Sequence, residues 1–259
     1  MSSQITAPQV RSMKGDSRIV CLTAYDYTSG RIADRAGVDV ILVGDSVGNV
    51  VLGYESTIPV TLEEMEHHVR ATSRAVERAL LVADLPLGSY GSSVSQAVDS
   101  AVRLVKAGAN AAKLEGDYCD EVRAIQKTGI PVMGHVGFTP QSVHNFGGYK
   151  VQGRKNKSEV IRMAKSLDDA GVFAMVLELI PAELSTEITK SVSAPTIGIG
   201  AGIDCDGEIQ VFHDIMGLAE KTYKHTRVFA HSGKAMIRGA RQYAQAVRER
   251  SFPTEENSF

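Results

Sequence analysis

Five aliphatic segments of the sequence each deliver an ionisable side chain at or near one end. The segments are VILVGD, ALLVAD, AAKLEG, VMGHVG and AMVLE, and the residues are Asp45, Asp84, Glu115, His135 and Glu178. Buried parallel strands read as continuous aliphatic runs, and ligand sites in such folds form at the carboxyl ends of the strands. One charge at a strand end is explained by turn or helix capping. Five are not, so we expect these side chains to line one site.

Three of the five are carboxylates on neighbouring candidate strands. Two unit charges about 4 Å apart repel by about 4 kcal/mol at an effective dielectric constant near 20, so a cluster of Asp45, Asp84 and Glu115 requires a positive partner. Oxygen ligands suit a hard divalent cation, and Mg²⁺ combines one or two carboxylates with water and substrate oxygens. The alternative is structural, with Lys113 and arginines neutralising the acids as an ion-pair network. The pattern favours the metal.

Lys113 lies two residues before Glu115, so both side chains point to the same face of the candidate strand. The neighbouring Ala111, Ala112 and Leu114 argue against a solvent-facing strand. A lysine at a strand end also fits a Schiff-base aldol mechanism that needs no metal. Both chemistries remain open at this point.

Two other residues are candidates for acid–base work. His135 is placed to hydrogen-bond a carboxylate or keto oxygen of a ligand, although a core histidine with structural partners is the competing interpretation. Glu178 follows AMVL, an apolar setting that strengthens a carboxylate as a base, whereas Pro181 just beyond it also fits a charge before a helix. His67 and His68 lie on a predicted helix, where we expect partial exposure and no chemistry.

Composition limits the classes of function. The chain has 259 residues, 43% of them hydrophobic, with 28 Lys and Arg against 30 Asp and Glu, so there is no basic excess for nucleic acid or an anionic membrane. Its aliphatic runs are too short to cross a bilayer, and its polar first residues do not resemble a signal peptide. The three cysteines form no C-x-x-C pair, which favours a reducing compartment. We expect a cytoplasmic protein with small-molecule partners.

Strand and helix patterns alternate along the chain, which is typical of parallel β/α folds. Candidate strands lie at about 19–26, 40–46, 80–85, 111–116, 131–136, 174–179, 195–200 and 209–213. Candidate helices lie at about 28–37, 61–78, 93–107, 118–128, 158–170, 182–191 and 229–249. Thr61 with Glu64, and Ser93 with Gln96, predict capping boxes. Eight strands favour a single (β/α)₈ TIM barrel domain over 1–259, rather than a doubly wound sheet.

Several long strings resemble one enzyme family, ketopantoate hydroxymethyltransferase (3-methyl-2-oxobutanoate hydroxymethyltransferase). They are LTAYDYTSGRIADRAGVDVILVGDSVGNVVLGYESTIPVTLEEM, VADLPLGSYGSS, AAKLEG, GIPVMGHVGFTPQSVHNFGGYKVQGR, VLELIPAEL and PTIGIGAGIDCDGEI. The resemblance extends from about residue 8 to the carboxyl-terminal tail. It implies a barrel of the phosphoenolpyruvate/pyruvate type.

The resemblance also implies the reaction, namely transfer of a hydroxymethyl group from the co-substrate 5,10-methylenetetrahydrofolate to 2-oxoisovalerate, giving 2-dehydropantoate in pantothenate and coenzyme A synthesis. It assigns Mg²⁺ to Asp45, Asp84 and Glu115, and proton abstraction from C3 to Glu178. Substrate contacts carry over to a set of five residues, namely Asp45, Ser46, Asp84, Lys113 and His135. It further implies a homo-oligomer, commonly a decamer.

The sequence departs from the family pattern in places. Glu208 stands where the family usually has glutamine, and KTYKHTRVF is a loose version of the segment before the last helix. Two alternatives also remain. One is a metal-dependent lyase or aldolase acting on another 2-oxo acid without folate, and the other is a non-catalytic binding barrel whose acidic cluster is structural.

Overall fold

The computed structural model describes residues 4–259. These residues divide into two compact units, the first ending at Val211 and the second formed by Phe212–Phe259. The assignment of 1–259 to a single domain therefore stays a prediction.

The first unit is a closed barrel of eight parallel strands in sequence order, within the described part of the chain. Its strands are β1 Ile19–Thr23, β2 Val40–Val43, β3 Leu80–Asp84, β4 Ala111–Lys113, β5 Val132–Gly137, β6 Ala174–Glu178, β7 Thr196–Ile199 and β8 Gly207–Gln210. Each strand pairs with the next, and β8 pairs with β1. The predicted (β/α)₈ barrel is confirmed.

The strands are shorter than the aliphatic runs that predicted them. Asp45 and Glu115 both lie two residues beyond their strands, although backbone N–H groups of Leu114 and Gly116 still donate to carbonyl oxygens of β5. The last strand begins and ends earlier than predicted, at Gly207 and Gln210. All these carboxylates therefore lie at or just past the carboxyl ends of the strands.

Helices surround the barrel and were mostly predicted to within a few residues. They are α1 Ala7–Ser12, α2 Tyr27–Arg35, α3 Val47–Val50, α4 Leu62–Ser73, α5 Val94–Ala107, α6 Cys119–Lys127, α7 Val143–Phe146, α8 Lys157–Asp169 and α9 Ala182–Ser191, with a 3-10 turn at Pro140–Ser142. The sequence did not predict α1, α3 or α7. Helices of four to six residues carry too little periodicity to be recognised.

The helix predicted at 61–78 ends early, at Ser73. The reason is Asp34, whose carboxylate accepts hydrogen bonds from the backbone N–H groups of Glu77, Arg78 and Ala79. These donors are thereby withdrawn from a helical ladder, and the segment runs on towards β3. Periodicity alone does not reveal such a tertiary acceptor.

One predicted capping box forms completely and the other only in half. Thr61 and Glu64 satisfy each other's backbone N–H groups at the start of α4. Ser93 accepts a hydrogen bond from the backbone N–H of Gln96 at 3.2 Å. The Gln96 side chain does not return the bond, because it contacts Ser92 Oγ and donates to the Gly88 carbonyl oxygen at 2.8 Å.

The short helix α1 closes the amino end of the barrel. Ala7 and Val10 are buried in the same cluster as the first residues of several strands, including Ile19 and Val40. Lys14, just after α1, forms an ion pair of 2.9 Å with Asp206. The opposite, carboxyl end is the one that receives the ionisable side chains.

The second unit contains α10 Phe212–Ile215, α11 Ser232–Arg248 and a 3-10 turn at Glu255–Asn257. The helix predicted at 229–249 is thus present, although it starts at Ser232. Every residue of α11 is at least partly exposed, including the large side chains of Met236 and Tyr243. Within residues 4–259, no helix has both the length and the apolar character that a membrane span requires.

Candidate active site

Asp45 lies just beyond β2 and is 4% exposed. Its backbone N–H donates to Asp84 Oδ2 at 3.0 Å, which joins the ends of β2 and β3. The preceding Gly44 permits this approach, since a Cβ there would lie 2.8 Å from Ser46 Oγ and 3.4 Å from Asp84 Oδ2. A side chain at position 44 would therefore have to displace the Ser46 hydroxyl.

Asp84 and Lys113 are register partners on β3 and β4. Both are buried, and Lys113 Nζ lies 2.5 Å from Asp84 Oδ1 and 3.9 Å from Glu115 Oε1. The expected convergence of Lys113 and Glu115 on one face is therefore observed. Lys113 is the cation that the acidic cluster holds within the protein.

His135 on β5 lies between two carboxylates. Its Nδ1 is 3.2 Å from Glu115 Oε1, and its Nε2 is 3.3 Å from Glu178 Oε2. Among residues 4–259 neither ring nitrogen has a partner in good hydrogen-bond geometry, so these contacts are electrostatic. The imidazole links the candidate metal ligand Glu115 to the candidate base Glu178.

Glu178 ends β6 with its side chain 16% exposed. The strongly apolar setting predicted for it is therefore only partial, since one face meets His135 and another is open. The backbone around it is irregular. Leu179 adopts a φ of 46°, and Gly137 at a φ of 98° leaves no room for a side chain, because a Cβ would lie 2.3 Å from the Glu178 carbonyl oxygen. The backbone of Glu178 is held by the backbone N–H of Phe138, which donates to the Glu178 carbonyl oxygen at 2.8 Å.

Ser46 also reaches the site. Its Oγ lies 2.8 Å from the hydroxyl of Tyr25, a buried residue just beyond β1. The Tyr25 carbonyl oxygen in turn lies 2.6 Å from Nδ1 of His68. The expectation for His68 was wrong: it is buried and helps to fix the end of β1, whereas His67 is exposed.

Gln141 is a neutral residue of the site that the sequence patterns did not predict. It lies in the 3-10 turn after β5, it is 7% exposed, and its Nε2 donates to Asp45 Oδ2 at 2.8 Å. Its backbone N–H donates to Glu115 Oε2 at 3.1 Å. Its one sequence signal was its place in FTPQSV, the polar loop directly after the strand of His135.

Burial and mutual repulsion govern the charges of the acids. The pKa of Asp45 is raised well above its usual range, chiefly by burial and then by Asp84 and Glu115. Burial also raises the pKa of Asp84, against the opposing effect of Lys113. Glu115 differs, because the charges of His135 and Lys113 outweigh its burial and lower its pKa. Burial and neighbouring acids therefore disfavour ionisation of Asp45 and Asp84, and a cation beside them would favour it.

The donor set fits a hard divalent cation that shares its shell with a ligand. Four carboxylates face two cationic side chains here, so full ionisation leaves an excess of two negative charges; the acids are Asp45, Asp84, Glu115 and Glu178, and the cations Lys113 and protonated His135. Within residues 4–259, no three His, Cys, Asp or Glu side chains are arranged to hold a metal ion unaided. Mg²⁺ prefers one or two carboxylates with water and substrate oxygens, which needs no such cage.

Lys113 is unsuited to Schiff-base chemistry. Burial alone would lower its pKa, but Asp84, Glu115 and Asp45 outweigh burial and raise it above the ordinary value. A nucleophilic amine must be neutral. The geometry therefore favours Lys113 as a fixed positive charge.

Comparison with known proteins identifies the family of this chain. The model of the ketopantoate hydroxymethyltransferase family matches residues 4–255. The chain belongs to the ketopantoate hydroxymethyltransferase family. The resemblance noted in the sequence is thereby confirmed.

Members of the ketopantoate hydroxymethyltransferase family match the chain at full length. The protein named 3-methyl-2-oxobutanoate hydroxymethyltransferase from Thermosipho melanesiensis is 47% identical over 260 residues, covering 98% of both chains. Its namesake from Moorella thermoacetica is 50% identical over 264 residues, covering 99% of this chain and 98% of its own.

Solved structures share the fold of this chain. Phosphonopyruvate hydrolase in complex with oxalate and Mg²⁺ has a TM-score of 0.63 at 14% identity, covering 98% of this chain and 93% of its own. A 2,3-dimethylmalate lyase, described as a member of the PEP mutase/isocitrate lyase superfamily, has a TM-score of 0.60 at 19% identity, covering 98% and 92%. These neighbours agree with the (β/α)₈ barrel of the first unit.

Proposed function

We propose that this protein is a 3-methyl-2-oxobutanoate hydroxymethyltransferase that converts 2-oxoisovalerate, 5,10-methylenetetrahydrofolate and water to 2-dehydropantoate and tetrahydrofolate, a step of pantothenate and coenzyme A synthesis. Full-length identity of 47% and 50% to relatives with that name supports the reaction. The observation that carries the proposal within the site is the meeting of Asp45, Asp84 and Glu115 with a separate carboxylate, Glu178, across His135.

Glu178 is the proposed proton acceptor. It removes the proton from C3 of the keto acid, and the electron pair left on C3 forms the bond to the folate methylene carbon. Over the whole reaction both C–N bonds of that carbon break, water supplies the hydroxyl group, and the two folate nitrogens take up the protons released from C3 and from water. Its position at the end of β6, open on one face, allows it to reach a substrate carbon. His135 lies against Glu178 Oε2 and restricts the carboxylate to one orientation. We also retain His135 as a proposed contact of the substrate oxygens.

Asp45 and Asp84, with Glu115, would hold a divalent cation, proposed to be Mg²⁺. When bound, such an ion stabilises negative charge that develops on a keto oxygen. The raised pKa values of Asp45 and Asp84 support this assignment, because buried and mutually repelling carboxylates ionise more readily beside a cation. The structure of phosphonopyruvate hydrolase, which has a similar fold, contains oxalate and Mg²⁺. Oxalate carries two oxygens on adjacent carbons, as does the 2-oxo carboxylate group of a 2-oxo acid.

Lys113 and Ser46 would contact the substrate, together with Asp45, Asp84 and His135. Lys113 supplies a fixed positive charge for the carboxylate of the keto acid, since its ammonium group is buried and held by Asp84. Ser46 presents a hydroxyl that Tyr25 orients from the end of β1. These contacts place C3 towards Glu178.

The experiment that tests this function follows the C3 proton and the folate separately. Glu178→Gln should abolish exchange of the C3 proton of 2-oxoisovalerate with deuterated solvent, measured by NMR, while the variant still binds the keto acid. The wild-type protein should exchange that proton without folate but form 2-dehydropantoate only with 5,10-methylenetetrahydrofolate. Cleavage of another 2-oxo acid without folate would establish the lyase alternative instead. Exchange at the wild-type rate in Glu178→Gln would remove Glu178 from its role.

The same proposal includes location and assembly. A cytoplasmic enzyme that acts as a homo-oligomer, specifically a homodecamer, is what the family resemblance implies. Sedimentation equilibrium of the purified protein measures the number of subunits directly. A monomer at micromolar concentration would contradict the proposed assembly and leave the reaction unaffected.

A further inference from the structure

Both N–H groups of the Gln141 side-chain amide and its amide oxygen are hydrogen-bonded at the acidic cluster. Nε2 donates to Asp45 Oδ2 at 2.8 Å and to the Leu85 carbonyl oxygen at 3.0 Å. Oε1 accepts from the Tyr90 hydroxyl at 2.6 Å. The backbone N–H of the same residue donates to Glu115 Oε2 at 3.1 Å. A single neutral residue thus contacts two of the three candidate metal ligands.

The orientation of this amide is determined by its neighbours. The Leu85 carbonyl can only accept a hydrogen bond, so the atom facing it must be Nε2. The Tyr90 hydroxyl accepts from the backbone N–H of Glu115 at 3.2 Å, and its oxygen lies 2.6 Å from Gln141 Oε1 and 3.3 Å from the Glu115 carbonyl oxygen. The shorter bond, to Gln141 Oε1, takes its proton. Burial raises the pKa of Tyr90, which keeps that proton in place. The second N–H of Gln141 therefore points at Asp45 and at no other group that can compete for it.

We propose that Gln141 is a positioning residue for the metal and keto-acid site. Tyr90 holds the amide of Gln141, and Gln141 Nε2 occupies Asp45 Oδ2, which leaves Asp45 Oδ1 to face the cation. The inference rests on the proposed function, because it concerns the same site. The three acids come from the ends of three different strands. Gln141 contacts the first, Asp45, and the third, Glu115, and this double contact is the basis of the inference. Glutamine suits this position because it supplies donors without adding a fourth negative charge.

A nearly isosteric variant separates positioning from packing. Gln141→Met retains the length of the side chain and removes its hydrogen bonds. We expect its affinity for Mg²⁺, measured by calorimetry in the presence of 2-oxoisovalerate, to fall roughly 10- to 100-fold, as for other residues that orient metal ligands. Tyr90→Phe removes the bond to Gln141 Oε1 and the contacts of the hydroxyl with the Glu115 backbone, but it leaves both N–H bonds of Gln141 in place, so we expect a smaller loss of roughly 2- to 10-fold.

Gln126 provides the matched control. Its Nε2 donates to two backbone carbonyls, those of Val122 at 3.3 Å and Ala170 at 2.8 Å, on the outside of the barrel. Gln126→Met should lower the melting temperature by less than Gln141→Met, because Gln126 is only half-buried, and it should leave the Mg²⁺ affinity unchanged. A merely structural role for Gln141 predicts that both variants keep the wild-type Mg²⁺ affinity and differ only in melting temperature.

Two results would overturn the inference. One is a Mg²⁺ affinity of Gln141→Met, or of Tyr90→Phe if the first variant does not fold, equal to that of the wild type. The other is an equal loss of affinity in Gln126→Met. If the wild type binds Mg²⁺ and transfers the hydroxymethyl group in the same experiments, the proposed function survives and only the role of Gln141 fails. A wild type that binds no Mg²⁺ refutes both.

Discussion

Lys113 Nζ lies 2.5 Å from Asp84 Oδ1, and both side chains are buried at the carboxyl ends of adjacent strands. Lys113 is the counter-charge within the acidic cluster. It contributes one positive charge where the carboxylates of Asp45, Asp84 and Glu115 meet, so it neutralises the cluster only in part and leaves it able to attract a further cation.

Removing this counter-charge should destabilise the protein strongly. Lys113→Met leaves Asp84 and Glu115 buried without their cation, and breaking a buried pair in this way costs about 3–5 kcal/mol. We expect that loss in the free energy of unfolding, measured by urea denaturation in EDTA, and partial recovery on addition of Mg²⁺. Lys157→Met is the control, since its pair with Glu187 is about half exposed and contributes less than about 1 kcal/mol. Equal stability of the two variants would show that the cluster does not depend on Lys113.

The close approach of Gly137 to Glu178 gives a second prediction. Gly137→Ala and Gly129→Ala both place an alanine at a positive φ, 98° and 89° respectively, at a cost of about 1–2 kcal/mol. Within residues 4–259, the Cβ at Gly129 meets nothing closer than 4 Å, whereas that at Gly137 lies 2.3 Å from the Glu178 carbonyl oxygen.

We therefore expect Gly137→Ala to lower the melting temperature further than Gly129→Ala, and to reduce C3-proton exchange because Glu178 is displaced. Gly129→Ala should keep the wild-type exchange rate. If Gly137→Ala matched Gly129→Ala in both stability and exchange, the contact would not determine the position of Glu178.

The stability of the metal-free protein should depend on pH through His135. Burial and Lys113 both lower the pKa of His135, but Glu115 and Glu178 outweigh them and raise it from 6.5 to about 9. A raised histidine pKa stabilises the folded state fully below the unfolded value of 6.5, and this stabilisation is lost as the pH rises through about 9. The free energy of unfolding should therefore fall across this window, by an amount on the order of 3 kcal/mol.

Urea denaturation in EDTA at several pH values measures this dependence. His135→Gln should show a flatter profile than the wild type between pH 6.5 and 9, since it lacks the titrating group. Parallel profiles for the two proteins would show that His135 does not carry a proton between Glu115 and Glu178.

The sequence predicted the barrel and the charged members of the site because both leave local signals. Aliphatic runs that end on Asp45, Asp84 and Glu178 mark buried strands and the end at which they open. The early end of α4 left no such signal, because it depends on Asp34, a side chain more than forty residues away that accepts the backbone N–H groups of 77–79. A local sequence pattern does not show that a distant side chain will accept the backbone hydrogen bonds of a segment.

Neutral residues of the site were missed for a related reason. Gln141 and Tyr90 carry no charge, and their importance lies in hydrogen bonds to each other and to Asp45 and Glu115, which form only in the folded barrel. His68 was misjudged because its helix presents it to the Tyr25 carbonyl rather than to solvent. In each case the deciding partner lies on a different strand or helix.

Asp45, Asp84 and Glu115 are proposed to form an anionic site that accepts the keto acid only together with a divalent cation. Calorimetric titration of the wild-type protein with 2-oxoisovalerate, in Mg²⁺ and in EDTA, measures this dependence. We predict a binding isotherm with Mg²⁺, none in EDTA, and none for Asp45→Asn under either condition. Binding of the keto acid with equal affinity in Mg²⁺ and in EDTA would contradict the account.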